Sequence, residues 1–377
     1  MSRWIPADPG EASGFPGVRL AGARSADAAG ELADRICPLR APPGRKPFDI
    51  LAVSGGAAGG AFGAGLLAGL SQTGRRPCFE LVTGVSTGAL IAPFAFLGSA
   101  WDDRLVEAYT GGHAAALFDV RKALPGVEAG LFRARALDAL IAPFVDADLL
   151  RAVAAAHDEG RRLFVATTDL DRQQACLWDM GEIARLGADG DADAALALFR
   201  TVLAASASLP GLFPPRLIDC ASAGQAYKEM HADGGLAAPL FLLPDALMSW
   251  PGIGRRLRGG RVHLLINTAL DAAPRATSGN IPAILVRSFE TILRYTYLQA
   301  VGTTQAFCAG ASLPLGVAAM SGDGDPRNLV SFDTANMREM FAAGVARGSG
   351  PDPWAFPPVP PGPPLWDWAR RGLIGVR

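Results

Sequence analysis

Leu81–Leu97 reads LVTGVSTGALIAPFAFL, one serine set between two glycines in a run that carries no charge. Uncharged sequence continues to Trp101, and Ile50–Gly74 is a second stretch of the same kind, so both are long enough to cross a bilayer. Their breakers argue against a span: the earlier stretch holds eight glycines, and Gly84, Ser86, Thr87, Gly88 and Pro93 interrupt the later one. Each reads better as a buried strand, a tight turn and a helix. FDILAV (Phe48–Val53) runs into Ser-Gly-Gly and then AFGAGLLAGLSQTG, a helix closed by Gly74. FELVTG (Phe79–Gly84) repeats the pattern, with Pro93 expected to kink or shorten the helix that follows.

The same alternation continues along the chain. RLFVATTDL (Arg162–Leu170) and RVHLLINTAL (Arg261–Leu270) are strand-like, and helical periodicity covers Arg135–Phe144, Ala147–His157, Ala192–Ala207, Ile281–Ala306 and Asn336–Ala346. Strands alternating with helices predict an α/β fold with a mainly parallel sheet covered on both faces. Residues 1–46, punctuated by Pro, Gly and charge, read as an irregular leader with at most one helix, Ala26–Ile36, and the folded unit is expected over 47–347. Residues 348–377 form a Pro-rich tail, GPDPWAFPPVPPGPPLWDW at its centre, read as an extended arm or a docking segment.

Composition narrows the function. The formal net charge of -1 comes from 35 basic residues against 36 acidic ones, spread along the chain, so no nucleic-acid footprint is expected. Only Lys46, Lys122 and Lys228 are lysines, a bias read as coding composition. Cys37, Cys78, Cys176, Cys220 and Cys308 form no C-x-x-C pair and are odd in number, which predicts neither a disulfide framework nor a zinc site and points to a reducing, cytoplasmic compartment. The N-terminus lacks the apolar core of a signal peptide.

Gly84-Val85-Ser86-Thr87-Gly88 fits G-x-S-x-G, in which glycines let a strand turn sharply into a helix and present the serine oxygen. With 45 glycines in 377 residues, chance supplies roughly one such match in four chains of this composition, so the strand before it and the helix after it carry the argument. SGGAAGGAFG supplies a second turn whose amides are open to a developing oxyanion, with Gly55, Gly56 and Ala57 the candidate donors. It lacks the Gly-Lys-Ser/Thr of a P-loop and the register of G-x-G-x-x-G. Asp233 stands in EMHADGGLAAP, where Gly234 and Gly235 make a tight turn after a carboxylate. To serve as a base near neutral pH it must be desolvated and within hydrogen-bond reach of Ser86. GADGDADAA mimics a calcium loop, but Ala194 replaces its glycine and Arg200 its bidentate acid. No H-E-x-x-H occurs, and no metal or cofactor is expected.

Taken together, SGGAAGGAFGAGLL (Ser54–Leu67), GVSTG (Gly84–Gly88) and DGG (Asp233–Gly235) resemble the patatin-like phospholipases, and TTDLDRQQACLWDMGEIA and LAASASLPGLFPP extend the similarity over about Pro47–Trp354. The resemblance implies a three-layer α/β/α sandwich and hydrolysis of fatty-acyl esters by a Ser-Asp dyad without histidine. It makes Ser86 the nucleophile, Asp233 the base and the Gly55–Ala57 amides the oxyanion hole, with a lipid or fatty-acyl ester as substrate and peripheral membrane contact as a corollary. Two positions depart from the family pattern: Ala57 replaces a third glycine, and Gly59 stands where arginine is frequent.

Two alternatives stay open at this level. Ser86, Asp233 and His263 occur in the chain order of a Ser-Asp-His hydrolase, although RVHLLI places His263 in a strand. The domain could instead be a non-catalytic membrane or protein interaction module, with WPGIGRRLRGGR (Trp250–Arg261) as its basic loop.

Overall fold

The computed structural model describes residues 4–20, 26–36, 48–117, 132, 134–271, 274, 276–321 and 331–354. Among them lie ten strands: β1 (Glu11–Ala12), β2 (Arg19–Leu20), β3 (Asp49–Val53), β4 (Phe79–Val85), β5 (Arg162–Asp169), β6 (Gln174–Asp179), β7 (Arg216–Ser222), β8 (Gln225–Asp233), β9 (Arg261–Ala269) and β10 (Leu315–Met320). They join in one sheet of order β1-β7-β8-β5-β4-β3-β9-β10, with β6 on β5 and β2 on β6.

The centre of the sheet, β5-β4-β3-β9-β10, is parallel throughout. Its strands are apolar without alternation because both faces are covered, and β3 is buried at every position. Successive side chains point to opposite faces. Leu51 and Val53 pack with the helices Gly60–Gln72, Thr87–Leu97, Ala147–Asp158 and Ala192–Ser206. Ile50 and Ala52 pack with Ala26–Ile36 and Ile281–Ala311. The result is the three-layer α/β/α sandwich. The other flank departs from the predicted alternation: β8 runs antiparallel to β5, and β7–β8 is an antiparallel hairpin. Half-exposed, charge-bearing β7 and β8 carry no continuous apolar run, which is why periodicity does not reveal them.

Both charge-free stretches are largely buried in the core, and among the described residues no helix is long and apolar enough to cross a membrane. The helix Thr87–Leu97 runs through Pro93 instead of ending before it. Its burial on nearly every side compensates for the missing N–H.

Two expected boundaries move. The described parts of the leader are built into the sheet: β1 pairs with β7 and β2 with β6. Arg19 is buried, donating to the Gly10 carbonyl at 2.6 Å and pairing with Glu229 at 2.9 Å. Glu229 also accepts from Arg172 (2.8 Å) and Tyr227 (2.6 Å). Burial alone would raise the Glu229 pKa, but these partners and His231 hold it well below the usual carboxylate range. At the other end the helix Thr334–Ser349 continues past residue 347, and the Trp354 carbonyl accepts from Val317 at 2.9 Å. Residues 37–47, including Cys37 and Lys46, Lys122, and the proline-rich part of the tail from 355 onward lie outside the described residues. Cys78, Cys176, Cys220 and Cys308 are free thiols.

The helix Thr334–Ser349 crosses Gly60–Gln72 at backbone contact. A Cβ on Gly65 or Gly69 would meet the carbonyl oxygens of Phe341 and Val345 at 2.0 and 2.5 Å, and one on Gly344 or Gly348 would meet those of Phe62 and Leu66 at 2.1 and 2.3 Å. Glycines four apart on both helices thus make one reciprocal seam. Since the obstruction is backbone on each side, Gly65→Val is expected to cost about 3 kcal/mol or more, read from denaturant midpoints.

Candidate active site

Ser86 follows β4 and caps the helix Thr87–Leu97 with φ 56 and ψ -126, a conformation that a non-glycine residue adopts only under restraint. The restraint is visible. Its N–H donates to Ser206 Oγ at 2.9 Å, and Ser206 Oγ donates to the Ala166 carbonyl on β5 at 2.7 Å. Gly88 lets the helix approach β3, since a Cβ there would meet the Val53 and Ser54 carbonyl oxygens at 2.4 Å, and Gly84 likewise has Gly88 O at 2.6 Å from its missing Cβ. Both glycines of the motif are therefore contacts as well as turn residues.

Asp233 ends β8 opposite Thr167, one rung beyond the Val85–Ala166 pair, which brings it level with Ser86 across β5. Ser86 Oγ donates to Asp233 Oδ2 at 2.6 Å. The other carboxylate oxygen, Oδ1, accepts from the Gly235 N–H at 2.7 Å. Gly234 is obligatory on packing grounds, its missing Cβ lying 2.3 Å from Ala166 O. Thr168 Oγ1 donates to the Asp233 carbonyl at 2.8 Å, and the Asp233 N–H to the Ser208 carbonyl at 3.0 Å. Asp233 is 2% exposed. Burial pushes its pKa up to about 7, against the opposing hydrogen bonds from Ser86 and Gly235.

The loop after β3 lies beside the elbow. Ser54 N–H donates to Leu265 O, Asn267 N–H to Ser54 Oγ and Asn267 Nδ2 to Ser54 O, all at 2.8–2.9 Å, which ties the loop to β9. Gly55 corrects one expectation: its amide donates to the Pro239 carbonyl at 3.3 Å and is not an open donor. Gly56 (φ 151) and Ala57 (φ 50) turn the chain into the helix Gly60–Gln72 and leave their amides at a helix start, where no intrahelical acceptor exists. The N-terminus of Thr87–Leu97 adds its positive dipole end at Ser86.

Ser86, Thr87 and Ala57 open onto a cleft of about 850 Å³, counted out to its mouth. Leu90, Phe94, Leu140, Phe144, Leu212 and Phe213 give it an apolar wall. Tyr109, deep in the cleft, has its hydroxyl satisfied by Thr87 Oγ1 at 3.0 Å, so it presents no open polar group there.

His263 is not part of this site. It pairs with Leu51, which pairs with Val82, so it lies about 13 Å down the strands from Ser86 and two strands across. Its Nε2 is 2.8 Å from Asp49 Oδ1, and its ring packs on Phe79 and Trp354. Asp49, its pKa held down by His263 and Arg261 against the cost of burial, fixes this histidine in place. His263→Ala is expected to leave ester turnover within about twofold while lowering the melting temperature, since distant sites act independently. Other expected features resolve similarly: Asp191 of GADGDADAA caps the helix Ala192–Ser206 through the Ala194 N–H, and two arginines of the basic loop, Arg256 and Arg261, are paired with Asp34 and Asp49.

Ser206 and Ser208 are the functional neighbours that sequence reasoning misses as individuals. Their signal lies in ASAS, two serines at the end of an apolar helix, where nothing but tertiary contact says which backbone they hold.

The family model described as Patatin-like phospholipase matches residues 51–244, just over half of the chain and inclusive of Ser86 and Asp233. No curated protein matches. Among solved structures, VipD from Legionella pneumophila aligns at 12% identity over 80% of this chain and 67% of its own, with a TM-score of 0.39. Human GIVD cytosolic phospholipase A2 aligns at 12% identity over 86% of this chain, with a TM-score of 0.37, and the chain spans 61% of its length. With the elbow, the DGG turn and the glycine loop all falling inside the matched segment, the chain belongs to the patatin-like phospholipase family.

Proposed function

We propose that the protein hydrolyses fatty-acyl esters of lipids through a Ser86–Asp233 dyad. The reading rests on one observation, the 2.6 Å hydrogen bond from Ser86 Oγ to a buried carboxylate at the mouth of an apolar cleft. The acyl chain occupies the cleft, where removal from water supplies about 0.8 kcal/mol per buried methylene. Asp233 takes the Ser86 proton as Oγ attacks the ester carbonyl. The oxyanion forms against the Gly56 and Ala57 amides, and Gly55 keeps the space beside Ser86 clear. Collapse breaks the bond to the alcohol, Asp233 returns the proton to the leaving oxygen, and water activated by the same carboxylate releases the fatty acid. No metal or cofactor enters these steps.

The test is hydrolysis of short and long fatty-acyl esters by the wild type, Ser86→Ala and Asp233→Asn, together with mass-spectrometric capture of an acyl group on Ser86. Turnover that survives either substitution, or an acyl adduct elsewhere, defeats the proposal.

A further inference from the structure

Tyr297 sits in LRYTYLQA on the helix Ile281–Ala311, in the layer opposite the acyl cleft, where it is buried at 7% exposure. Its hydroxyl nevertheless reaches the catalytic loop. A Cβ placed on Gly55 would lie 2.8 Å from the Tyr297 hydroxyl, 3.1 Å from Ser86 Cβ and 3.7 Å from Ser86 Oγ. The absent Gly55 side chain therefore leaves a gap of about one heavy atom between the nucleophile and a phenol. We infer that the Tyr297 hydroxyl is a catalytic hydrogen-bond donor to the departing alcohol oxygen, an inference that rests on the Ser86–Asp233 reading.

Placement decides which oxygen it serves. The acyl cleft is lined by Ala57, Ser86 and the first-face helices, and Tyr297 takes no part in that lining. The phenol approaches Ser86 across Gly55, from the layer opposite the cleft lining, and the inference places the alcohol half of an ester on that side when its acyl half fills the cleft. It also lies close enough to Asp233 to feel its charge, which with burial raises its pKa above that of an ordinary phenol and keeps it a neutral O–H donor. Ser54 is its resting hydrogen-bond partner and opposes that rise: the Ser54 hydroxyl donates to Gly55 O (2.7 Å) and accepts the Asn267 N–H (2.9 Å), which leaves one lone pair to hold the phenol until a more basic alcohol oxygen develops.

The step balances without transfer of the tyrosine proton. As the tetrahedral intermediate collapses, the carbonyl re-forms and the carbon–oxygen bond to the alcohol breaks. The electron pair stays on the alcohol oxygen, which receives the proton Asp233 took from Ser86. Tyr297 donates a hydrogen bond to that oxygen as its charge develops and retains its own proton.

A donor to the leaving group and a donor to the oxyanion differ in one readout, the sensitivity to leaving-group basicity. Tyr297→Phe keeps the ring and removes only the hydroxyl. Against an alkyl ester and a p-nitrophenyl ester of the same fatty acid, it is expected to lose about 30-fold in kcat on the alkyl ester, and about threefold or less on the aryl ester, whose leaving group needs little help. The melting temperature falls by no more than about a few degrees, the effect of losing one buried hydrogen bond to Ser54. Equal losses on both esters, or no loss on the alkyl ester, overturn the inference while Ser86→Ala remains inactive. If Ser86→Ala hydrolyses both esters as the wild type does, the dyad itself falls and the inference with it.

Discussion

Replacing Ser86 with alanine is expected to lower ester turnover by about 10⁴-fold or more, and Asp233→Asn by about 10³ to 10⁴, with the double variant little worse than either. The non-additivity is the informative part. A nucleophile and the base that takes its proton form one unit, so removing the second member of a broken pair costs little. Ser86→Ala carries no new strain, because alanine at φ 56 is as constrained as serine and the Ser206 bond goes to the backbone N–H, which survives. Steady-state kinetics on a long-chain ester, with circular dichroism to check folding, measures it. Independent, multiplicative losses would mean that the two residues act on different steps.

Asp233 carries the second large effect, in which activity and stability pull apart. Its folded pKa of about 7 lies above the ordinary aspartate value of 3.8, so the proposed base, which must be ionised to act, is half protonated near neutrality. For kcat/KM the expected profile falls about tenfold per pH unit below 7 and levels above it. The stability sign is the reverse of the usual carboxylate case. A raised folded pKa means that folding disfavours the charged form: the penalty is absent below about 3.8, grows as pH rises, and is complete above about 7. Asparagine keeps the geometry, its oxygen accepting from Gly235 and its amide donating to Ser86 Oγ, and removes the charge. Asp233→Asn is therefore expected to be more stable than the wild type by on the order of 3 kcal/mol at pH 8 and by far less at pH 4.5. Denaturant melts of both proteins at the two pH values decide it, and a variant that is less stable at pH 8 would show that the carboxylate is not desolvated as its burial implies.

Much of the site was legible in the linear chain because its parts are local backbone devices. A strand that must turn sharply into a helix needs small residues on both sides of the exposed serine, and Gly84 and Gly88 announce that in five residues. Asp-Gly-Gly declares a carboxylate at a tight turn in three. The parallel centre of the sheet was legible for a related reason: strands buried on both faces must be apolar throughout, and helices must separate them. The α/β/α layering, the candidate nucleophile and the candidate base follow from such short-range requirements.

What stayed hidden depends on pairs far apart in sequence. Arg19 in a Pro- and Gly-rich segment looks like leader until Glu229, 210 residues on, gives its charge a buried partner, and β1 and β2 are too short at two residues each to show any period. The Gly55 amide looks like an oxyanion donor until the Pro239 carbonyl claims it. His263 fits the order of a triad until strand register puts it at the wrong end of the sheet. Tyr297 is an unmarked aromatic on a long helix until folding sets its hydroxyl across the gap at Gly55 from Ser86. Sequence by itself determined the turns and the layers, because these answer to residue size and hydrophobicity over a few positions. Only the tertiary structure decided which polar groups were spent and which were open, because a hydrogen bond or an ion pair is a property of two groups at a distance, and the chain does not state that distance.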